Sequence, residues 1–187
     1  MKILVISSSP NKDGLTAACA AAASTGLAQS GGTVEEVFLN DLNVGMCKAC
    51  DNGWGTCLEE HECQELDDFQ ALHERVRQAD GLVLVTPVYW GEMSESAKAF
   101  TDRLRRCEAN RESDSALEGK PVMAVASAGG SGGGMITCLG SMERWIQHMH
   151  GRVFDLIPVN RWSREYKLEA IRAAGRAMGK EGVEYNF

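Results

Sequence analysis

The sequence predicts a doubly wound α/β three-layer sandwich: a five-stranded parallel sheet with helices on both faces. Three observations predict it. Short apolar runs alternate with helix-favouring stretches through the 187 residues. The runs are continuously apolar rather than strictly alternating, which marks strands covered on both faces and therefore parallel. Right-handed crossovers between such strands distribute the helices over two layers. The length suits one domain over residues 1–187.

The elements follow in order. Lys2–Ser7 is a buried strand, and alanine-rich 16–29 is a helix closed by Gly31-Gly32. Thr33–Leu39 alternates like a strand. Asp67–Gln78 is a helix, with Asp67 as N-cap and Gln70 three residues on. Gly81–Thr86 is a strand stopped by Pro87, and 94–107 is a helix capped by Ser94. Pro121–Ser127 opens on a proline where a strand tolerates one; helix 135–150 follows. In strand 152–159, Pro158 predicts a sheet edge, and helix 163–178 ends the series. The long irregular stretch is 40–66, and a loop of that length in a compact domain is usually functional or disordered.

Composition narrows the function. The net charge is −7, and residues 41–68 alone carry eight acidic residues and one lysine. An acidic chain without a basic stripe argues against nucleic-acid binding. No run approaches the ~20 apolar residues of a membrane span. The apolar run after Lys2 is too short for a signal-peptide core, so a cytoplasmic protein is expected. Its seven cysteines are then thiols or metal ligands rather than disulfides.

In an open α/β sheet the ligand lies beyond the carboxyl ends of the strands. Three loops there carry signal. Ser7–Thr16 offers hydroxyls, a glycine and a helix N-terminus suited to phosphate, without a dinucleotide-binding or P-loop spacing. Thr86–Ser94 places Tyr89 and Trp90 where a flat ligand would sit. Five of the twenty glycines fall between Gly129 and Gly134, as if the main chain must approach a ligand closely.

Together the loops resemble those of the flavodoxin-like NAD(P)H-dependent FMN reductase family. Ser8-Ser9-Pro10-Asn11-Lys12-Asp13-Gly14-Leu15-Thr16 is similar to its Gly-Ser-Pro-Arg-x-x-Gly-Asn-Thr, and Thr86-Pro87-Val88-Tyr89-Trp90-Gly91-Glu92-Met93-Ser94 to its Ser-Pro-x-Tyr-x-Gly-x-x-Ser. The resemblance implies a sheet in the order 2-1-3-4-5, and FMN held at its phosphate by Ser9, Asn11 and Thr16 with Gly14 and Leu15. Its ring and ribityl chain would be lined by Pro87, Val88, Tyr89, Trp90 and Gly91, and by Ser127, Ala128, Gly129, Gly130 and Gly133. Asn11 stands where the family has a basic residue and Leu15 where it has asparagine, which leaves Lys12 or the backbone to meet the phosphate charge. The implied activity passes hydride from NAD(P)H through FMN to a small acceptor such as a quinone, flavin, nitro or azo compound. No side-chain nucleophile is required. A homodimer or homotetramer is implied as well.

Cys47, Cys50, Cys57 and Cys63 form C-x2-C-x6-C-x5-C in the acidic loop. Four cysteines suit zinc or a four-iron cluster. The related iron–sulfur flavoproteins carry a compact cysteine motif in this region, but here Gly53 stands at the third cysteine's usual place. The reading taken is metal-free, with Trp54 packed as the loop's anchor. The alternative is an electron-transfer protein with a Cys47/Cys50/Cys57/Cys63 cluster. Cys19, Cys107 and Cys138 are expected to pack as small hydrophobes. Arg103, Arg105 and Arg106 are expected on a solvated helix face, and the four histidines in solvated or capping roles.

Overall fold

The computed structural model describes residues 1–108, 110–111 and 114–180. The remainder of the expected 1–187 domain lies outside the described residues. The elements are β1 (Lys2–Ser7), α1 (Leu15–Gln29), β2 (Thr33–Phe38), α2 (Phe69–Gln78), β3 (Gly81–Tyr89), β4 (Glu92–Met93), α3 (Glu95–Glu108), β5 (Pro121–Ala128), α4 (Met135–His148), β6 (Arg152–Asn160) and α5 (Arg164–Gly179).

The long strands run parallel in the order β2-β1-β3-β5-β6, the flavodoxin-like arrangement expected. Alternate residues of each central strand enter different cores. Leu4, Ile6, Leu82, Leu84, Val122 and Ala124 pack with α2, α3 and α4. Ile3, Val5, Val83, Val85, Met123 and Val125 pack with α1 and α5. Both faces are covered, so both sets are apolar and the strands read as continuous runs. The small residues of α1 also set a close helix crossing: a Cβ on Gly26 would lie 2.1 Å from the Arg172 carbonyl of α5.

Two caps form where they were expected. The Phe69 amide donates to Asp67 Oδ1 (2.9 Å), and the Asp67 amide donates to Gln70 Oε1 (3.2 Å). The Ala97 amide donates to Ser94 Oγ at 3.3 Å. Pro158 lies in β6, an edge strand. Pro87, by contrast, does not stop its strand. It sits opposite Ser127, and β3 continues to Tyr89 before folding back on the short antiparallel β4. Trp90 (φ 52°) and Gly91 (φ 84°) make that two-residue turn, both in the left-handed conformation hairpin turns require. The sheet therefore gains a sixth, very short strand that the sequence reading lacked.

His73 is neither solvated nor a cap. It is buried in α2 against the fully buried carboxylate of Glu108 at the end of α3. Glu108 also accepts from Arg77 (3.1 Å) and from the Ala116 amide (2.6 Å).

Candidate active site

The loops after β1, β3 and β5 emerge side by side, and the chain leaves β1 and β3 in opposite directions, which opens a crevice between them. A chain of hydroxyls ties the three together. Ser8 Oγ donates to the Val85 carbonyl (3.3 Å), and Ser94 Oγ lies 2.9 Å from Ser8 Oγ. The Ser94 amide donates to Thr86 Oγ1 (3.0 Å), and Ser127 Oγ donates to the Thr86 carbonyl (3.3 Å). Thr16 Oγ1, at the start of α1, is 2.6 Å from Ser127 Oγ. Ser8 and Thr86 were legible only as motif positions, and their structural signal is a hydroxyl at each strand's carboxyl end.

Hydrogen bonding separates the expected phosphate ligands. Thr16 Oγ1 and Ser127 Oγ lie 2.6 Å apart, with either able to donate, so the Thr16 hydroxyl is already engaged within the protein. Ser9 Oγ accepts from the Asn11 amide at 3.2 Å, which leaves the Ser9 proton free. Asn11 Oδ1 accepts from the Asp13 amide, shaping the turn. Lys12 is not aimed at a phosphate: Nζ pairs with Asp41 at 2.6 Å. Gly14 caps α1 with no side-chain bond, and no acidic residue occupies the first turn. The first amides of that helix, at Leu15 and Thr16, therefore remain donors for an anion.

The second and third loops meet at glycines. A Cβ on Gly134 (φ 78°) would sit 2.8 Å from Gly91 Cα, so both its conformation and its neighbour exclude a side chain. Gly129 and Gly130 differ: no atom lies within 4 Å of an added Cβ, and neither has a positive φ. Nothing within the protein demands glycine there, which fits a backbone cradle left clear for a ligand. A groove of about 480 Å³ opens between the second and third loops, lined by Val88, Trp90, Gly91, Gly133, Gly134 and Thr137. Trp90 is fully exposed and Tyr89 partly so, whereas Pro87 and Val88 are half-buried and Ser127 and Ala128 buried. Gly134→Ala is expected to lower stability by about 1–3 kcal/mol through strain, while Gly130→Ala leaves it unchanged. Thermal unfolding of the two variants checks this contrast.

The cysteine loop forms a second feature. Cys47, Cys50, Cys57 and Cys63 line one pocket of about 20 Å³, the volume of a single water-sized body. Among the described residues, no three His, Cys, Asp or Glu side chains are already placed to hold a metal ion. The pocket wall is α3, which contributes Arg103, Arg106 and Cys107 on one face.

This corrects the expected solvated arginine face. Arg103 is 2% exposed, bonded through Nη1 to Asp67 (2.6 Å) and the Gly45 carbonyl (3.1 Å), and through Nη2 to the Glu65 carbonyl (2.9 Å). Its guanidinium stacks 4.3 Å from the Phe69 ring. Arg106 donates to the Gly53 carbonyl and lies over Trp54, which is exposed rather than packed as an anchor. The acidic loop recruits these cations because its carbonyls and Asp67 need donors where water is excluded. Only Arg105 faces the solvent groove between α3 and α4, with Arg144 and His148.

Burial pushes the Cys107 thiol up to about 12, and Cys63 and Cys57 act in the same direction. Burial likewise takes Cys19 and Cys138 to about 12, as small hydrophobes.

The family model for NADPH-dependent FMN reductase matches residues 1–156. An iron–sulfur flavoprotein of Methanosarcina thermophila is 33% identical over 156 residues, 82% of this chain and 76% of that protein. An iron–sulfur flavoprotein of Methanocaldococcus jannaschii is 33% identical over 105 residues, 56% of this chain and 52% of that protein, so that match spans about half the relative's length. Among solved structures, the NAD(P)H:quinone oxidoreductase of Methanothermobacter marburgensis superposes with a TM-score of 0.73 at 18% identity, over 100% of this chain and 99% of that one.

Proposed function

The chain belongs to the NADPH-dependent FMN reductase family, and from that premise we propose that it passes hydride from NADPH or NADH through bound FMN to a small acceptor, such as a quinone, free flavin, nitro or azo compound. The observation that carries this reading is the meeting of three loops at the switch point, tied by one hydroxyl chain from Ser8 to Thr16.

FMN supplies the two-electron chemistry when bound, and the protein's work is binding and orientation. The free hydroxyl of Ser9 and the first amides of α1 hold the phosphate, with Asn11, Gly14 and Leu15 shaping the turn. Thr16 braces the loop through Ser127. Gly129 and Gly130 leave room along the ring and ribityl chain, with Gly133 beyond them. Pro87 to Gly91 form the opposite wall, and Tyr89 and Trp90 govern access for the acceptor. Trp90, Ile136, Trp162 and Tyr166 are exposed, and apolar side chains of this kind favour a second copy of the chain closing over the mouth. The reading treats residues 1–187 as one FMN-binding domain of a cytoplasmic protein. Among the described residues, no helix is long and apolar enough to cross a membrane.

The test is anaerobic. Purified protein should show a flavin spectrum that bleaches on adding NADPH or NADH and returns with a quinone. A flavin spectrum that neither nucleotide bleaches would sink the proposal.

A second reading is favoured by one observation, the four loop cysteines lining a single pocket. Cys57 takes part despite Gly53, whose carbonyl instead receives Arg106. The thiol set matches the four ligands of an iron–sulfur cluster in number and in donor chemistry. Such a cluster would supply one-electron transfer, with the loop opening around it to make room. Equal amounts of iron and acid-labile sulfide after anaerobic reconstitution would support this reading.

A further inference from the structure

We propose that Arg103 is the positioning residue of the cysteine pocket, donating an uncommitted N–H to a sulfur there and supplying the positive charge that a thiolate-bound cluster requires. The inference rests on the iron–sulfur reading and goes beyond it, because it assigns a role to a residue outside the cysteine motif.

Arg103 lies deep in the wall of the pocket that the four cysteines line. Three of its donations are spent on Asp67, Gly45 and Glu65, which fix the guanidinium in place. Nε is buried and, among the described residues, has no hydrogen-bond partner. A buried donor left unmade is costly, so a native acceptor is expected nearby. The cysteine sulfurs line the same pocket, and Cys63 faces the guanidinium. Its charge is secured by the Asp67 carboxylate at 2.6 Å.

The loop makes such a cation necessary: residues 41–68 carry eight acidic residues and one lysine, and Glu65 lines the pocket with the cysteines. Thiolates gathered in this setting need a compensating charge within the wall, and α3 provides it. Hydrogen bonds to cluster sulfurs and local charge are among the factors that set a cluster's reduction potential. Arginine suits the role better than lysine because its planar fork can bond the loop and a sulfur at once.

The experiment reconstitutes the wild-type protein and the variants R103Q, R103K and D67N anaerobically with ferrous iron and sulfide. It measures iron, sulfide, bound FMN and the cluster's midpoint potential by EPR-monitored titration. For R103Q, the equilibrium for one-electron reduction should be about tenfold less favourable, a fall of about 59 mV, with R103K between it and wild type. D67N keeps the guanidinium and removes an anion, so its potential should move the other way. R103Q loading normally at an unchanged potential overturns the proposal, as does D67N shifting in the same direction as R103Q. If R103Q loses FMN or cluster, R103K and D67N decide, and unchanged potentials in both overturn it. If the wild type takes up zinc alone, or iron without sulfide, the cluster reading itself fails. That result appears in the wild-type sample before any variant is compared.

Discussion

Glu108→Ala is expected to lower stability by about 3–5 kcal/mol, the cost of breaking a buried ion pair from one side. Against a total of about 5–15 kcal/mol, this is the largest single loss the structure predicts. Glu108 is fully buried at the carboxyl end of α3, where it binds His73, Arg77 and the Ala116 amide. Its removal leaves two basic side chains and a buried amide without their acceptor. Urea unfolding at neutral pH measures the effect, and a loss below about 1 kcal/mol would show that the network acts like a surface pair.

The pH dependence has a definite sign. Burial pushes the Glu108 carboxyl up, but His73, the Ala116 amide and Arg111 together hold it below the ordinary glutamate value of 4.5. The resulting stability is fully present above 4.5 and is lost as pH falls through the lower native value. Wild-type protein should lose stability along this acid limb, and Glu108→Gln should flatten it.

Ser9→Ala is expected to weaken FMN binding by about tenfold to a hundredfold, the worth of one hydrogen bond to a charged group at about 1.5–3 kcal/mol. Thr16→Ala should weaken it less. Both residues occupy phosphate positions in the family motif, yet their surroundings differ. Thr16 is engaged with Ser127 at 2.6 Å, whereas Ser9 accepts from the Asn11 amide and keeps its proton available. Fluorescence titration of the apoprotein with FMN ranks the two variants. A larger loss for Thr16→Ala would mean that FMN breaks the Thr16–Ser127 bond on entering.

Much of this was legible before folding. The layers, the caps at Asp67 and Ser94 and the three loops at the strand ends depend on local signals: apolar runs, hydroxyls at helix starts, and glycines after strands. Pro87 misled because a proline read alone is a strand breaker, while its carbonyl still pairs and its missing amide is not needed. The hairpin at Trp90-Gly91 was illegible because it needs a left-handed tryptophan, which few sequences signal. His73 and Arg103 were misjudged for one reason. A charged residue on a helix reads as solvated unless its partner is known, and those partners, Glu108 and Asp67, lie 35 and 36 positions away.

By itself, then, the sequence determined the layers and the loops at the strand ends, because hydrophobic period and turn chemistry are encoded within a few neighbouring residues, and its loop motifs carried the resemblance that implied the strand order. It also placed four cysteines in one acidic loop. Only the tertiary structure decided that they share a pocket, that α3 turns Arg103 toward them, and that Thr16, unlike Ser9, is engaged by Ser127. Each of these depends on which distant group satisfies a buried donor or acceptor, and that is settled when the elements pack.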